Sequence, residues 1–329
     1  MTTNALICLN SPYEFWQLSN QHASQLHSAF PDVRFRFVED HAVADEIRDA
    51  DVYFGWTFDK GWLTTVSRLT WAATPSAGID HWPVAEIQSA GILLTRGYGY
   101  HGQPMTEHAI GLLLGFSRGL FESARLQTRS VWWKDNLANS FFDLNGQNLT
   151  IIGCGSVGTQ LAGIAQALGM HVIGVRRHSP RSEPGGIEWT PTHRAHEALA
   201  RSRAVVNLLP ATEETHGFFD EAAFKACSPG TVFINLGRAS TVDHDALLIA
   251  LDSGTLAGAA LDVLPHKPPP LDDPLRHHPR IVLTPKSAVF SRTYMNKAVA
   301  FFHDNLQLFL ADQPLNGAVT PTLGGPHDH

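Results

Sequence analysis

Little in this sequence serves a disulfide scaffold, a metal centre, a membrane span or a nucleic-acid surface. The 329 residues include three cysteines, Cys8, Cys154 and Cys227, far apart and in no metal-ligand spacing. An odd, scattered set of that kind builds no disulfide framework and suits a reducing compartment, so a cytoplasmic location is expected. No basic stretch precedes the apolar residues among the first ten, so no secretory leader is expected there. The longest apolar run, around Ile110–Phe116, is too short to cross a bilayer. Positive charge is in deficit, with 24 Lys and Arg against 31 Asp and Glu and a net charge of −7. That balance gives no electrostatic footprint for nucleic acid. Histidine is plentiful at 18 but never falls into an HExxH or CxxC…HxxxH frame, so no metal site is expected. Internal repeats and low-complexity linkers are absent. What remains is 43% hydrophobic and 17% charged, a composition for a globular chain long enough for two domains with real cores.

The most informative stretch present is LTIIGCGSVGTQLAGIAQALGMHVIGVRRHS, Leu149–Ser179. An apolar run ends in Gly153-Cys154-Gly155-Ser156-Val157-Gly158, a helical segment follows, and a second apolar run stops at Arg176-Arg177. Strand, glycine turn, helix and strand in that order form a dinucleotide cradle. Gly153 permits the sharp turn. Gly155 lets backbone N–H groups approach a pyrophosphate, and Gly158 lets the helix pack closely on the strand. The helix start at Ser156 and Val157 offers unpaired N–H groups and the positive end of the helix dipole. An NAD site usually has an acidic residue at the second strand's end, accepting hydrogen bonds from the ribose. Here Arg176 stands there, with Arg177, His178, Ser179 and Arg181 beside it. Guanidinium groups bind a 2′-phosphate that a carboxylate would repel, so NADPH is expected rather than NADH.

Around the cradle, strands and helices alternate. Strands are expected at Ala5–Leu9, Val33–Val38, Asp51–Trp56, Leu69–Ala73 and Ile92–Thr95. Helices are expected at Pro12–Phe30 and Val43–Asp49, with a long helix from about Met105 to Val131. An aromatic-rich loop runs from Trp132-Trp133 to Phe141-Phe142. Beyond the cradle come strands at Ala204–Leu209, Thr231–Leu236, Leu256–Val263 and Ile281–Leu283, then a last helix over Thr293–Leu310. The alternation implies parallel sheets flanked by helices. Functional groups gather at the carboxyl ends of such strands, where Arg238, Asp262 and Lys286 lie.

With these landmarks in order, the chain resembles the D-isomer-specific 2-hydroxyacid dehydrogenases of the glyoxylate/hydroxypyruvate reductase type. The resemblance is carried by SAGIDH (Ser76–His81), TEHAIGLLL (Thr106–Leu114), GCGSVG, LLPATEETHG (Leu208–Gly217), INLGRAS (Ile234–Ser240), ALDV (Ala260–Val263) and LTPK (Leu283–Lys286). It implies an α/β fold of two Rossmann-like, doubly wound parallel-sheet domains. The substrate domain would be 1–102 with 288–329, and the NAD(P)-binding domain inserted into it 103–287. It also implies a homodimer formed through the helix that opens the cofactor domain. The turn Ser76, Ala77, Gly78 would hold the substrate carboxylate, with Tyr100 and His101 nearby. Arg238 would clamp the carboxylate and polarise the carbonyl. Asp262 would meet the nicotinamide amide. Leu209, Pro210 and Thr215, with Leu236 and Gly237, would line the cofactor.

Two positions depart from the family pattern. The proton-donating histidine of TPH is replaced by Lys286, and the carboxylate five residues after the DV aspartate is replaced by Lys267. The Pro268-Pro269-Pro270 loop leaves open whether Asp272 or Asp273 supplies a carboxylate. A protonated lysine gives a proton more readily than it takes one, so reduction is favoured over alcohol oxidation. Burial and a nearby arginine would ease that release. His101 and His266 are alternative acids, Trp56 is a pocket candidate, and Trp132 and Trp133 are candidates for a partner's pocket or for packing. The expected function is NADPH-dependent reduction of a small 2-oxo acid. Two alternatives stand beside it: an oxidoreductase for an imine or polyhydroxy acid, and a catalytically inactive NADP-sensing protein.

Overall fold

The strand at the start of the chain shows how the fold is written. In β1 (Thr3–Cys8) Ala5 and Ile7 face one core, and Leu6 and Cys8 face another. Side chains alternate across a pleated strand. A strand apolar on both faces belongs inside a sheet covered on both sides, the setting of parallel sheets. The computed structural model describes residues 2–138, 140–177 and 185–320. The chain divides into two compact units, Met1–His101 with Ser291–His329, and Gly102–Phe290.

The first unit contains β1, α1 (Asn20–Ala29), β2 (Val33–Phe37), α2 (Val43–Glu46), β3 (Val52–Gly55), β4 (Trp71–Thr74), α3 (Val84–Ser89) and β5 (Leu93–Arg96). Its five strands are all parallel, in the order β2-β1-β3-β4-β5. The C-terminal helix, Tyr294–Leu310, covers one face with Met295, Val299, Phe302 and Leu306. Phe302 stacks on Phe54 with ring centres 4.2 Å apart.

The second unit runs through α4 (Gly102–Ser117), α5 (Leu120–Leu126), α6 (Lys134–Ala138), β6 (Asn148–Ile152), α7 (Ser156–Ala167), β7 (His171–Arg176), β8 (Ile187–Pro191), α8 (Ala195–Leu199), β9 (Ala204–Asn207), α9 (Glu221–Lys225), β10 (Thr231–Asn235), α10 (His244–Asp252), β11 (Leu256–Leu261), α11 (Pro274–His277) and β12 (Ile281–Leu283). Its seven parallel strands lie in the order β12-β11-β10-β9-β6-β7-β8. The order reverses between β6 and β9. In a doubly wound sheet that switch point opens the crevice where ligands bind.

Besides β8, for which no strand is expected from the sequence, three elements differ from the sequence expectation. Instead of one helix over Pro12–Phe30, the chain makes a 3₁₀ turn at Glu14–Trp16 and begins α1 after Ser19. The Ser19 hydroxyl accepts from the His22 N–H while the His22 ring accepts from the Ser19 N–H, a reciprocal start signal. The long helix from Met105 breaks at Gly119, which takes φ 66° and ends α4. The chain doubles back there, and Phe121 lies where a side chain at Gly115 would stand. Finally, the aromatic loop contains α6, and Trp133 Nε1 donates to Ser123 at 2.9 Å.

Candidate cofactor and substrate site

The glycine turn has the geometry a pyrophosphate requires. Gly153 adopts φ 83°, and a Cβ there would lie 2.9 Å from the Leu208 carbonyl carbon. At Gly158 a Cβ would meet Cys154 Sγ at 3.0 Å and Ile151 at 3.1 Å, which is the close helix–strand contact. A Cβ at Gly155 would enter open space. Gly155 is also the N-cap of α7, and no side chain caps that helix. The N–H groups of Ser156, Val157 and Gly158 precede the first intrahelical donor, Thr159, which bonds to Gly155 O at 2.9 Å. A twelve-residue helix therefore aims its positive end into free space, and these residues fit a dinucleotide phosphate.

At the end of β7, Arg176 rests over the Trp189 ring at 5.9 Å. Arg177 is ion-paired with Glu214. His178 and Ser179, also expected to contact the cofactor, lie outside the described residues, as does Arg181. Thr215 lies in the loop that follows β9. The hydroxyl donates to Pro210 O at 2.6 Å and accepts from the Thr212 N–H at 2.9 Å, so it shapes the loop. Leu209 is 7% exposed, and its N–H is held by Asn207 Oδ1 at 3.0 Å. Gly237 abuts it: a Cβ there would stand 2.6 Å from Leu209 O. Leu236, beside it, is buried at 4%.

Under Arg238 lies a polar knot that sequence reasoning did not identify. Asn207, Asn235 and Thr241 are all fully buried. Asn207 Nδ2 donates to Asn235 Oδ1 at 3.0 Å and to Thr241 Oγ1 at 2.7 Å. Asn235 Oδ1 also accepts from the Gly237 N–H at 3.0 Å, and Thr241 Oγ1 donates to Arg238 O at 2.7 Å. A satisfied buried network of this kind is rigid. It fixes the β9 and β10 ends together and sets the Arg238 backbone, whose guanidinium reaches Gly237 O at 3.0 Å. Its signal was an asparagine closing each of two apolar strands, AVVN and TVFIN.

Asp262, at the end of β11, is 4% exposed. It accepts from Thr284 Oγ1 at 2.6 Å, the Ser287 N–H at 2.8 Å and the Ala288 N–H at 3.1 Å. These bonds tie down the 284–288 turn. His108 on α4 completes the corner, with Nε2 3.1 Å from Thr284 Oγ1 and 3.6 Å from Asp262. Burial holds the His108 pKa below its ordinary value, against the pull of Asp262.

The turn so anchored carries Lys286. Its N–H donates to Asp262 O at 2.9 Å and to Thr284 O at 3.0 Å. Its φ is 55°. A left-handed backbone costs a residue with a side chain about 1–2 kcal/mol, and such strain persists where the surroundings dictate it, most often at functional sites. Lys286 is exposed within this unit. Below it lies a cavity of about 530 Å³ shared by Lys286, Lys267, His266 and Arg276. The aspartates left open in sequence do not wall it. Asp273 instead caps α11, accepting from the Leu275 N–H at 2.9 Å.

In the first unit, the turn Pro75-Ser76-Ala77-Gly78 leaves the end of β4. Pro75 O accepts from Tyr100 Oη at 2.6 Å and from Tyr294 Oη at 2.8 Å. Gly97 N–H donates to Ser76 O at 2.9 Å, and Arg96 Nη1 to Ala77 O at 3.0 Å. The turn carbonyls are thus claimed by protein donors. Tyr100 and His101, expected at the substrate, both bond within this unit. His101 is 5% exposed, its Nε2 lies 3.0 Å from Tyr294 Oη, and burial pushes its pKa down to about 4. It is a neutral positioning group, unsuited to act as a general acid near neutral pH. Trp56 follows β3 and stacks beside Tyr294 at 6.1 Å.

The chain is similar to known proteins along most of its length. A glyoxylate/hydroxypyruvate reductase B of Citrobacter koseri is 30% identical over 302 residues, covering 90% of this chain and 91% of that protein. The structure of a D-isomer specific 2-hydroxyacid dehydrogenase family protein from Klebsiella pneumoniae 342 is 28% identical, with a TM-score of 0.77 and 97% of each chain covered. An acyclic imino acid reductase solved with NADPH and D-Arg superposes with a TM-score of 0.81 over 96% of this chain and all of that one; at 21% identity it speaks for the fold alone. The family model for the NAD binding domain of D-isomer specific 2-hydroxyacid dehydrogenases matches residues 110–288. Two parallel sheets, a glycine cradle at the switch point and relatives along nine-tenths of the chain leave one conclusion: this chain belongs to the D-isomer specific 2-hydroxyacid dehydrogenase family.

Proposed function

We propose that the chain reduces a small 2-oxo acid to the 2-hydroxy acid with NADPH, Lys286 giving the proton and Arg238 holding the acid. The observation that carries this reading is the Lys286 turn, held left-handed at the end of β12 by Asp262, Thr284 and His108. The named activity of the Citrobacter koseri relative, a glyoxylate/hydroxypyruvate reductase, supports the substrate class.

In this reading Gly153, Gly155, Ser156, Val157 and Gly158 bind the pyrophosphate, and Arg176 binds the 2′-phosphate, helped by Arg177. Leu209, Pro210, Leu236 and Gly237 wall the adenosine and nicotinamide sides. The reduced nicotinamide supplies the hydride when bound. The N–H groups of Ala77 and Gly78, in the turn that begins at Ser76, receive the substrate carboxylate. The Arg238 guanidinium pairs with the carboxylate and polarises the 2-oxo group, stabilising charge where it develops. Lys286 Nζ then passes its proton to the new alkoxide oxygen. Asp262 acts through the backbone, fixing the turn that aims Nζ.

Val131 and Trp132 are exposed at 102% and 74%. Apolar groups that open to solvent suit a covered interface, and we read the protein as a homodimer. The cysteines Cys8, Cys154 and Cys227 are free and buried, in keeping with a cytoplasmic protein.

The test follows coenzyme consumption with glyoxylate, hydroxypyruvate, a 2-oxo acid with a larger side chain, and an imino acid. At least tenfold higher kcat/KM with NADPH than with NADH, on a 2-oxo acid, is the expected result. A preference for NADH would overturn the role of Arg176. Turnover of the imino acid alone would move the same site to a different substrate, and tight NADPH binding without consumption would replace an enzyme with a sensor.

A further inference from the structure

The cavity beneath Lys286 has a composition that the transfer of one hydride and one proton does not require. It is walled by two lysines, an arginine and a histidine: Lys286, Lys267, Arg276 and His266. The single carboxylate on its wall, Asp262, is 4% exposed and already accepts three hydrogen bonds from the chain itself. The cavity therefore presents an excess of positive charge, in a chain whose net charge is −7. That contrast marks a local device rather than a generally basic surface. Leu264, Ile281 and Leu283 give the lining an apolar part.

The rim is preorganised. Lys267 precedes Pro268-Pro269-Pro270, whose rings fix φ along the loop. Arg276 Nη1 holds Pro269 O at 3.1 Å, and His277 Nε2 lies 2.6 Å from Leu271 O. Asp273 caps the short helix that carries Arg276. The loop is thus pinned by Arg276 and His277, and the lysine is carried on a stiff support. At about 530 Å³ the cavity matches the size of sites that enclose small ligands.

We infer that the cavity takes a second anionic group of the substrate, so that the preferred 2-oxo acid is a dianion with a carboxylate or phosphoryl group at the end of its side chain. This deepens the proposed function and rests on it. The first carboxylate and the 2-oxo group meet Arg238 and Lys286. The spacer lies over Leu264 and Leu283, and the distal anion meets Lys267, His266 and Arg276. Lys267 is the specificity-determining residue: it places a cation five residues after Asp262, on the wall shared with Lys286. Its ammonium forms charge-assisted hydrogen bonds to either distal group.

The experiment measures kcat/KM under saturating NADPH for 2-oxobutanoate, 2-oxoglutarate and 3-phosphohydroxypyruvate, in the wild type, Lys267→Met and Lys267→Arg. The wild type is expected to favour at least one dianion over 2-oxobutanoate by tenfold or more. Which dianion wins identifies the distal group as carboxylate or phosphoryl. Lys267→Met is expected to reduce that ratio by tenfold or more, and Lys267→Arg to restore most of it. Turnover of 2-oxobutanoate with no dianion preference, or a ratio unmoved in Lys267→Met, overturns this inference and leaves the reductase reading intact. No turnover of any of the three, while NADPH binds, overturns the reductase reading itself.

Discussion

At the carboxyl edge of the five-stranded sheet, two phenol hydroxyls close on the Pro75 carbonyl, and His101 lies behind them at 5% exposure. At the corresponding edge of the seven-stranded sheet, Gly155 faces open space, the α7 N-terminus has no side-chain cap, and Lys286 stands exposed on a strained turn. The two sheets share parallel strands and apolar faces on both sides. The groups named at the first edge are spent on protein partners, whereas the second, which also buries its Asn207–Asn235–Thr241 knot, leaves a glycine turn and Lys286 exposed. Fold therefore says little about which edge does chemistry. The side chains and glycines at the strand ends say more.

Damage to the open edge is expected to give the larger effect. Gly153→Ala adds a Cβ at a φ of 83° and 2.9 Å from backbone. Both the left-handed conformation and the collision oppose it, at about 2–4 kcal/mol of stability. Calorimetry should show NADPH affinity reduced at least a hundredfold and a lowered Tm. Wild-type affinity in this variant would mean that the glycine turn is not the phosphate cradle.

The closed edge is tested by acid. The His101 pKa is pushed down to about 4 by burial, from an ordinary value near 6.5. The folded state thus favours the neutral ring, and the unfolded chain takes up the proton first. Stability from this group is complete above pH 6.5 and is lost as pH falls toward 4. Between pH 7.5 and pH 5 the loss is about 2 kcal/mol. Urea titrations of the wild type and His101→Asn should differ in pH dependence by roughly that amount. Identical dependence would mean that the ring is not held neutral by burial.

How much of this was legible in the sequence follows from how local each signal is. The glycine cradle could be read because its three glycines meet requirements set within about six residues. Lys286 and Lys267 stood out against a family pattern, but the left-handed turn under Lys286 depends on Asp262 and His108, 24 and 178 residues away in the chain. The Asn207–Asn235–Thr241 knot was hidden for the same reason: each residue is ordinary alone, and their meeting is a property of the sheet order. β8 escaped because Glu188, Thr190 and Pro191 break its apolar pattern, which an edge strand tolerates. The long helix was over-read because the apolar face of Phe116, Leu120 and Leu126 continues past Gly119, where the backbone turns left-handed. The hydrogen bonds of Tyr100 and His101 reach Pro75 and Tyr294, 25 and 193 residues away, and no local pattern signals them.

The most direct measurement compares NADPH binding with NADPH-driven reduction of a 2-oxo acid in the wild type and Lys286→Ala. NADPH affinity within about twofold of the wild type, with turnover lower by about 10²–10⁴, is the predicted result for loss of the proton donor. Turnover within tenfold of the wild type, with binding intact, would contradict the role of Lys286 and with it the open edge as a reductase site.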